Sequence, residues 1–228
     1  MNSKTYYEIE KYMQQCMNDS AHDTQHVYRV LYTALDIAKD FEADNEILIT
    51  AALLHDIGRE AQFADNKLDH AVIGAGMAYE FLLSINWNEE RSNHVRDCIS
   101  THRYRNTNPP ESIEAKILYD ADKIDVIGTL GIARTLLYVG ITAQPLYSVD
   151  QSGNVLDGNG DEQSSFFKEY SYKLKNVHNN LFTSRAKEIA GKRLKGSIDF
   201  YNDIFLTVKD NHENGLALLQ DALINELE

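Results

Sequence analysis

A histidine and a carboxylate stand side by side at the end of one apolar stretch. Residues 51–59 read Ala-Ala-Leu-Leu-His-Asp-Ile-Gly-Arg, so an apolar helical run delivers His55 and Asp56 together. Imidazole nitrogens and carboxylate oxygens both bind metal ions. Because polar groups at the end of a buried helix cost free energy unless they find partners, we interpret this pair as the centre of a metal site. The rest of the chain must then supply further ligands.

Two other side chains complete a candidate ligand set. His26 lies at the start of a helical pattern, and Asp122 lies in a later one. Two imidazoles with two carboxylates suit Mn²⁺, Fe²⁺, Co²⁺, Ni²⁺ or Zn²⁺ better than Ca²⁺. Such a metal lowers the pKa of a bound water from about 15.7 to about 7. The set therefore predicts hydrolysis by a metal-activated water.

The aspartate ligand has two close competitors in the sequence. Asp120 lies on a different side of the predicted helix, whereas Asp125 is one turn further on and shares a face with Asp122. We prefer Asp122 as the metal ligand. Asp125, and likewise Asp120, is then expected to hydrogen-bond a metal-binding side chain or to cap a helix. The plain alternative for all three is a solvated acidic face, which the apolar neighbours of Asp122 disfavour.

The elements that carry these residues have helical periodicity throughout, so the sequence predicts an all-α fold without strands. Gly58 is expected in the left-handed position that ends a helix, and residues 59–67 are expected to form a loop. Residues 103–110 and 140–164 are also expected to be loops, the latter long and exposed. The predicted helices are 4–18, 26–40, 44–56, 70–82, 89–102, 111–125, 132–139, 166–181, 184–209 and 215–227.

Composition limits the partners. The chain has 228 residues and a net charge of −13, from 22 Lys and Arg against 35 Asp and Glu. This balance argues against a nucleic acid polymer or an anionic membrane as partner. It does not exclude a small anionic substrate, because a bound divalent metal can reverse the local field. The chain shows neither a signal core nor an apolar run long enough to span a membrane. Its two cysteines form no spacing motif, so we expect a cytoplasmic protein.

The order of the four candidate ligands resembles a known signature. His26, then the His55-Asp56 pair, then Asp122 match the H…HD…D pattern of the HD-domain metal-dependent phosphohydrolases. The flanking segments are similar to one bacterial subgroup, the YpgQ/YedJ-type HD hydrolases. This similarity covers residues 18–140 strongly and residues 166–208 more weakly. It rests on segments 23–30, 52–59, 69–75, 99–103 and 114–128.

The resemblance implies a helical bundle with the metal between helices. It implies one domain over residues 1–228, with an HD core at about 18–140 and a helical C-terminal extension at about 166–228. It implies that the four candidates are ligands, and that a nucleoside triphosphate is hydrolysed to the monophosphate and pyrophosphate. One divalent metal is expected, with Mn²⁺ placed first, Fe²⁺, Co²⁺, Ni²⁺ or Zn²⁺ next, and Mg²⁺ last.

Several basic residues are candidates for binding phosphate. Arg59 follows the His-Asp pair by three residues, and a phosphate oxygen is its natural partner, although a surface arginine is the plain alternative. Arg59 and Lys123 are expected to stabilise charge on the phosphoryl oxygens. Arg103, with Arg105, would extend this anion pocket. We treat all four as predictions about substrate binding.

Two further histidines bear on the metal count. HD proteins with two metals carry extra histidines between the His-Asp pair and the last aspartate, where this chain offers chiefly His70 and His102. We regard these as too few for a second metal site. Each is instead expected to bind phosphate or to protonate the leaving group.

Other functions stay open at this point. The same site would serve a phosphodiesterase or phosphomonoesterase acting on a nucleotide or another small phosphate ester. A protein of another class, a non-catalytic sensor of a phosphorylated small molecule, is also compatible with the sequence. The leucine-rich end of the chain would pack on the body or on a partner, so a homodimer is one arrangement that it allows.

Overall fold

The computed structural model describes residues 1–17, 24–104 and 108–224, and within these ranges it is all-α, as predicted. The described residues contain no strand, only one isolated bridge between Val149 and Val155. Arg105 and the polar turn expected around residues 18–23 lie outside the described ranges. The helices are α1 Ser3–Cys16, α2 Thr24–Ala38, α3 Asn45–Leu54, α4 Arg59–Ala64, α5 His70–Ser84, α6 Glu89–Thr101, α7 Ile113–Ile124, α8 Gly128–Ile141, α9 Phe166–Glu169 and α10 Ser184–Ile224.

Helix α3 is the central helix around the candidate ligands. It is apolar on nearly every side and packs against α1, α2, α5, α6 and α7. A helix that is hydrophobic all round is a buried helix, and burying each Leu or Ile contributes about 1.5–3 kcal/mol. Asp44 caps its N-terminus by accepting hydrogen bonds from the amides of Glu46 and Ile47, as expected. The helix ends at Leu54 and so presents His55 and Asp56 inside the core.

Helices α2 and α7 supply the other two candidate ligands. The buried stripe of α2 begins with His26 and continues at positions three and four apart, as the sequence predicted. Helix α7 begins after Ser112, whose side chain accepts a hydrogen bond from the Ala115 amide, and it packs against α2, α3 and α6. Both helices therefore meet α3 where it ends.

Three local expectations were wrong. Residues 59–64 form α4 instead of a loop. Gly58 has φ −86°, so it is not in the left-handed region. The stretch 140–164 is not simply exposed, because Ser148, Val155 and Asp161 are buried.

The end of the chain also differs from the expected pattern. Instead of two helices broken between 209 and 215, α10 continues without interruption to Ile224. The helix expected at 166–181 is α9, followed by a π-helical turn at Tyr170–Leu174 and a 3-10 turn at Val177–Asn180.

The chain divides into two compact units. The first comprises Met1–Asp125 with Leu181–Glu188, and the second comprises Val126–Asn180 with Ile189–Glu228. The first unit contains every candidate site residue. The second has its own apolar core, centred on Phe166 and Phe167. A single functional domain over the whole chain remains a prediction.

Among the described helices, no single one is both long and apolar enough to cross a membrane. Only α7 and α8, taken together as a bent pair, reach the required length and composition.

Candidate metal centre

The four predicted ligands converge around the Nε2 atom of His26. From this atom His55 Nε2 is 3.3 Å away, Asp56 Oδ2 is 3.4 Å away and Asp122 Oδ1 is 3.3 Å away. The four side chains come from α2, the end of α3 and α7. His26, His55 and Asp56 are each at most 2% exposed.

These spacings fit ligands of one metal ion. Donor atoms about 2.1 Å from a common ion, at tetrahedral or octahedral angles, lie roughly 3.0–3.4 Å from each other. His26, His55 and Asp56 also form one of the groups whose ligand atoms all lie within 4.8 Å. Nitrogen and oxygen donors in equal number suit a divalent transition metal.

Asp56 faces a second pair of histidines with its other oxygen. Its Oδ1 atom is 3.2 Å from His70 Nε2 and 3.6 Å from His102 Nε2, and these three residues form a second group able to hold a metal. Asp56 Oδ1 and His70 Nε2 are buried without a hydrogen-bond partner among the described residues. Because such atoms cost free energy when buried, both fit contact with a cation or a substrate.

The four imidazoles, of His26, His55, His70 and His102, share one hydrogen-bonding arrangement. In each, the Nδ1–H donates to an oxygen, so Nε2 faces Asp56. This is the tautomer that a metal ligand or a proton acceptor requires. The acceptors are Asp125 Oδ2 at 2.7 Å for His26, Ala52 O at 2.7 Å for His55, Gln62 Oε1 at 2.5 Å for His70 and Ile99 O at 2.6 Å for His102.

Nearby charges decide the protonation of the ligands. Burial opposes ionisation of Asp56 and Asp122, but the charges of Arg59 and Lys123 respectively, together with hydrogen bonds from His26 and nearby imidazole charges, outweigh it and hold both pKa values well below the usual range. Burial lowers the pKa of His55 to about 4.

His26 behaves in the opposite way. Burial lowers its pKa, but hydrogen bonds to the carboxylates of Asp122, Asp125 and Asp56 outweigh burial and raise it to about 10. A metal therefore competes with a proton for His26 Nε2, and its binding releases that proton.

Asp56, Asp122 and Asp125 each form an ion pair with an arginine or lysine. Because the charges of these pairs cancel, a divalent ion would leave the centre with a net positive charge. The pairs are Arg59 Nε with Asp56 Oδ2 at 2.5 Å, Lys123 Nζ with Asp122 Oδ2 at 2.7 Å, and Arg29 Nε with Asp125 Oδ1 at 2.8 Å.

Two residues considered in the sequence lie apart from this cluster. Asp120 points away and accepts hydrogen bonds from the Phe182 amide at 2.9 Å and the Thr183 amide at 2.7 Å, just before α10. Arg103 forms an ion pair with Asp69 at 3.1 Å, at the start of α5. The structure thus brings together the four candidate ligands, Asp125, Arg59, Lys123, His70 and His102.

The sequence prediction overlooked two contributors. Arg29 follows His26 by three residues on α2, so helical spacing alone would have placed it beside the ligand. Gln62, which orients His70, lies on α4, the helix expected to be a loop. No signal in the sequence identified it.

Gly58 permits a close approach between two segments of the site. A Cβ atom added there would lie 2.4 Å from His70 O and 2.6 Å from Gly74 N. Gly58→Ala is expected to lower the free energy of unfolding by about 1–3 kcal/mol and to weaken metal binding, because α5 must move away with His70. Thermal unfolding and metal titration measure both effects.

Gly76→Ala, on α5, is the matched glycine control. Its added Cβ atom has nothing within 4 Å, and alanine favours a helix by up to about 1 kcal/mol over glycine, so stability should stay equal or rise. Equal midpoints for wild type and Gly58→Ala would contradict the close-approach explanation.

Comparison with known proteins agrees with this geometry. The HD domain family model matches residues 24–127. The uncharacterized protein YpgQ of Bacillus subtilis is 30% identical over 204 residues, covering 86% of this chain and 90% of YpgQ. The crystal structure of B. subtilis YpgQ in complex with ADP is similar with a TM-score of 0.68 and 27% identity, covering 88% of this chain and 93% of that one.

A further solved structure is similar over nearly the whole chain. It is that of a predicted HD superfamily hydrolase from an uncultured Thermotogales bacterium, with a TM-score of 0.60 and 26% identity, covering 91% of this chain and 99% of that one. The resemblance found in the sequence is thereby confirmed. The chain belongs to the HD domain family and is related to HD-superfamily hydrolases.

Proposed function

We propose that this chain is a metal-dependent phosphohydrolase that converts a nucleoside triphosphate into the monophosphate and pyrophosphate. The observation that carries the proposal is the convergence of His55 Nε2, Asp56 Oδ2 and Asp122 Oδ1 on His26 Nε2, each 3.3–3.4 Å from that atom. Relatedness to HD-superfamily hydrolases supports hydrolysis. Relatedness to YpgQ, whose structure contains ADP, supports a nucleotide as the substrate.

The charge of the site favours a phosphorylated substrate. Three carboxylates are balanced by three bases, so a dication bound at the four ligands gives a local positive field although the chain carries −13. An anionic polyphosphate is the complementary ligand. We propose a single metal at these ligands, with Mn²⁺ as the first candidate.

A divalent metal held there supplies Lewis acidity, which makes water nucleophilic near neutral pH and offsets charge on phosphoryl oxygens. Asp125 orients His26 by accepting its Nδ1–H, and Arg29 holds Asp125 through two nitrogens. Arg59 and Lys123 lie against the carboxylate ligands, where their charges stabilise the phosphoryl oxygens as the bond breaks.

His70 and His102, which face the other oxygen of Asp56, are the groups proposed to transfer protons. Burial lowers the pKa of His70, so its Nε2 lone pair is available at neutral pH. In the proposed reaction His70 or His102 takes a proton from the attacking water. The same proton then passes to the pyrophosphate oxygen as its bond to the α-phosphorus breaks.

Product identification tests this function. The purified protein is incubated with Mn²⁺ and each of the common nucleoside triphosphates, and the phosphorus products are resolved by NMR. We expect monophosphate and pyrophosphate in equal amounts. Release of orthophosphate would instead favour a phosphomonoesterase, and turnover of a cyclic or diester nucleotide alone would favour a phosphodiesterase. Tight nucleotide binding without any product would indicate a sensor.

A further inference from the structure

A cavity of about 430 Å³ lies in the first unit, on the side of Asp56 where His70 and His102 are found. None of the candidate metal ligands lines it. Its volume falls within the range of small-molecule binding sites, roughly 300–1,000 Å³. The lining residues that matter here are Gln62, Lys67, Leu68, Val72, Arg103 and Tyr104.

The cavity is connected to the metal centre through shared residues. Gln62 lines the cavity and also accepts the Nδ1–H of His70, whose Nε2 is 3.2 Å from Asp56. Arg103 also lines the cavity, and it directly follows His102 in the chain. A ligand with one end against the histidines can therefore extend its other end into the cavity.

The cavity wall offers flat and apolar contacts. Leu68 and Val72 are large apolar residues that are 38% and 62% exposed, respectively. The Tyr104 ring beside them is held by the rings of Tyr119, at 6.2 Å, and Phe182, at 6.3 Å. A base stacks on such aromatic and apolar surfaces whatever its identity, and amide side chains such as Gln62 can bond its edge.

The charges of the cavity exclude a triphosphate as its main occupant. Its charged lining residues are Lys67, Arg103 and Asp69, and Asp69 pairs with Arg103 at 3.1 Å. One net positive charge is too little to neutralise three phosphates. It suits an uncharged part of a ligand whose phosphates extend from the cavity toward the metal centre.

We propose that this cavity binds the nucleoside part of the substrate, with the base against Leu68, Val72 and Tyr104 and the sugar toward His70. The inference rests on the proposed function for the orientation of the phosphates. The binding chemistry of the cavity itself can be measured without turnover.

The test compares a nucleotide analogue that resists cleavage with a polyphosphate that lacks the nucleoside. One is an α,β-methylene nucleoside triphosphate, taken in turn with adenine, guanine, cytosine and thymine. The other is inorganic tripolyphosphate. Calorimetry with the metal-loaded protein gives both dissociation constants. Since stacking of one base accounts for about fivefold to a hundredfold in affinity, the wild type should bind the best nucleotide at least about tenfold more tightly than tripolyphosphate.

Val72→Trp fills the cavity with a neutral side chain at an exposed position. It should weaken nucleotide binding about tenfold and so bring the ratio of the two dissociation constants, tripolyphosphate over nucleotide, toward one. Leu137→Trp, at a residue 70% exposed on α8, is the matched control and should change neither constant. Leu68→Trp repeats the test from a second position if the thermal midpoint shows that Val72→Trp fails to fold.

The outcomes separate the two proposals. Equal affinity of the wild type for nucleotide and tripolyphosphate, or equal weakening of both probes by the tryptophan variants, would overturn the nucleoside site. Selective nucleotide binding without hydrolysis of any triphosphate would support the cavity and reject the proposed function. Hydrolysis of tripolyphosphate as efficiently as of nucleotides would support the function and reject the cavity.

Discussion

Replacing His55 by alanine is expected to remove the bound metal and to lower the rate of pyrophosphate release at least about 1000-fold. His55 is fully buried, its Nδ1–H is fixed by Ala52 O, and its Nε2 lies 3.3 Å from His26 Nε2. Metal content by mass spectrometry and steady-state turnover are the measurements.

His94→Ala is the matched histidine control. The His94 side chain is 36% exposed and pairs with Glu114 at 3.2 Å, away from the candidate ligands, so metal content and turnover should not change. Because the alanine at position 55 leaves Ala52 O unpartnered, at a cost of about 1–3 kcal/mol, His55→Gln tests the same loss while keeping volume and a donor. A folded His55 variant with wild-type metal content and turnover would refute the assigned centre.

Asp120 and Asp122 on α7, and Asp125 directly after it, are expected to differ in their effects on turnover and metal binding when each is changed to asparagine. Asp122→Asn should lower turnover most, about 100-fold or more, because Asp122 Oδ1 faces His26 Nε2 at 3.3 Å and the amide is a much weaker ligand. Asp125→Asn should weaken metal binding about 10- to 100-fold, because Asp125 holds the Nδ1–H of His26. Metal titration and kinetics rank the variants.

Asp120→Asn is the third member and the internal control. Asp120 accepts three hydrogen bonds from Phe182 and Thr183, and an amide nitrogen cannot accept those made to Oδ2. This variant should lose about 1–3 kcal/mol of stability while keeping its metal affinity. An Asp120→Asn protein that folds normally but no longer binds metal would show that the ligand was assigned to the wrong aspartate.

Local patterns account for what the sequence predicted well. Asp44 and Asp69 cap helices because each side chain bonds amides only two or three residues ahead, and the apolar stripe of α2 needs only its own spacing. The same holds for the ligand types: adjacent His55 and Asp56 at the end of a buried helix already indicate a metal.

Errors arose where the deciding partner lies elsewhere in the chain. Gly58 was expected to adopt a left-handed conformation, but the backbone at His70 and Gly74 is what excludes a side chain there. Asp120 was expected to hold a ligand or to cap a helix, but its partner is Thr183, 63 residues later, which only the fold places against it. Helix α4 is short, and its periodicity was too brief to detect.

The sequence by itself determined the all-α class, the family and the four side chains proposed to hold the metal. These depend on helical period, caps and residue chemistry, which act over a few positions. Only the tertiary structure decided that each oxygen of Asp56 faces two histidines, that Asp125 orients His26 across 99 residues, and that a cavity adjoins His70. Such contacts depend on how helices pack, and one chain's local pattern does not encode which distant atoms will meet.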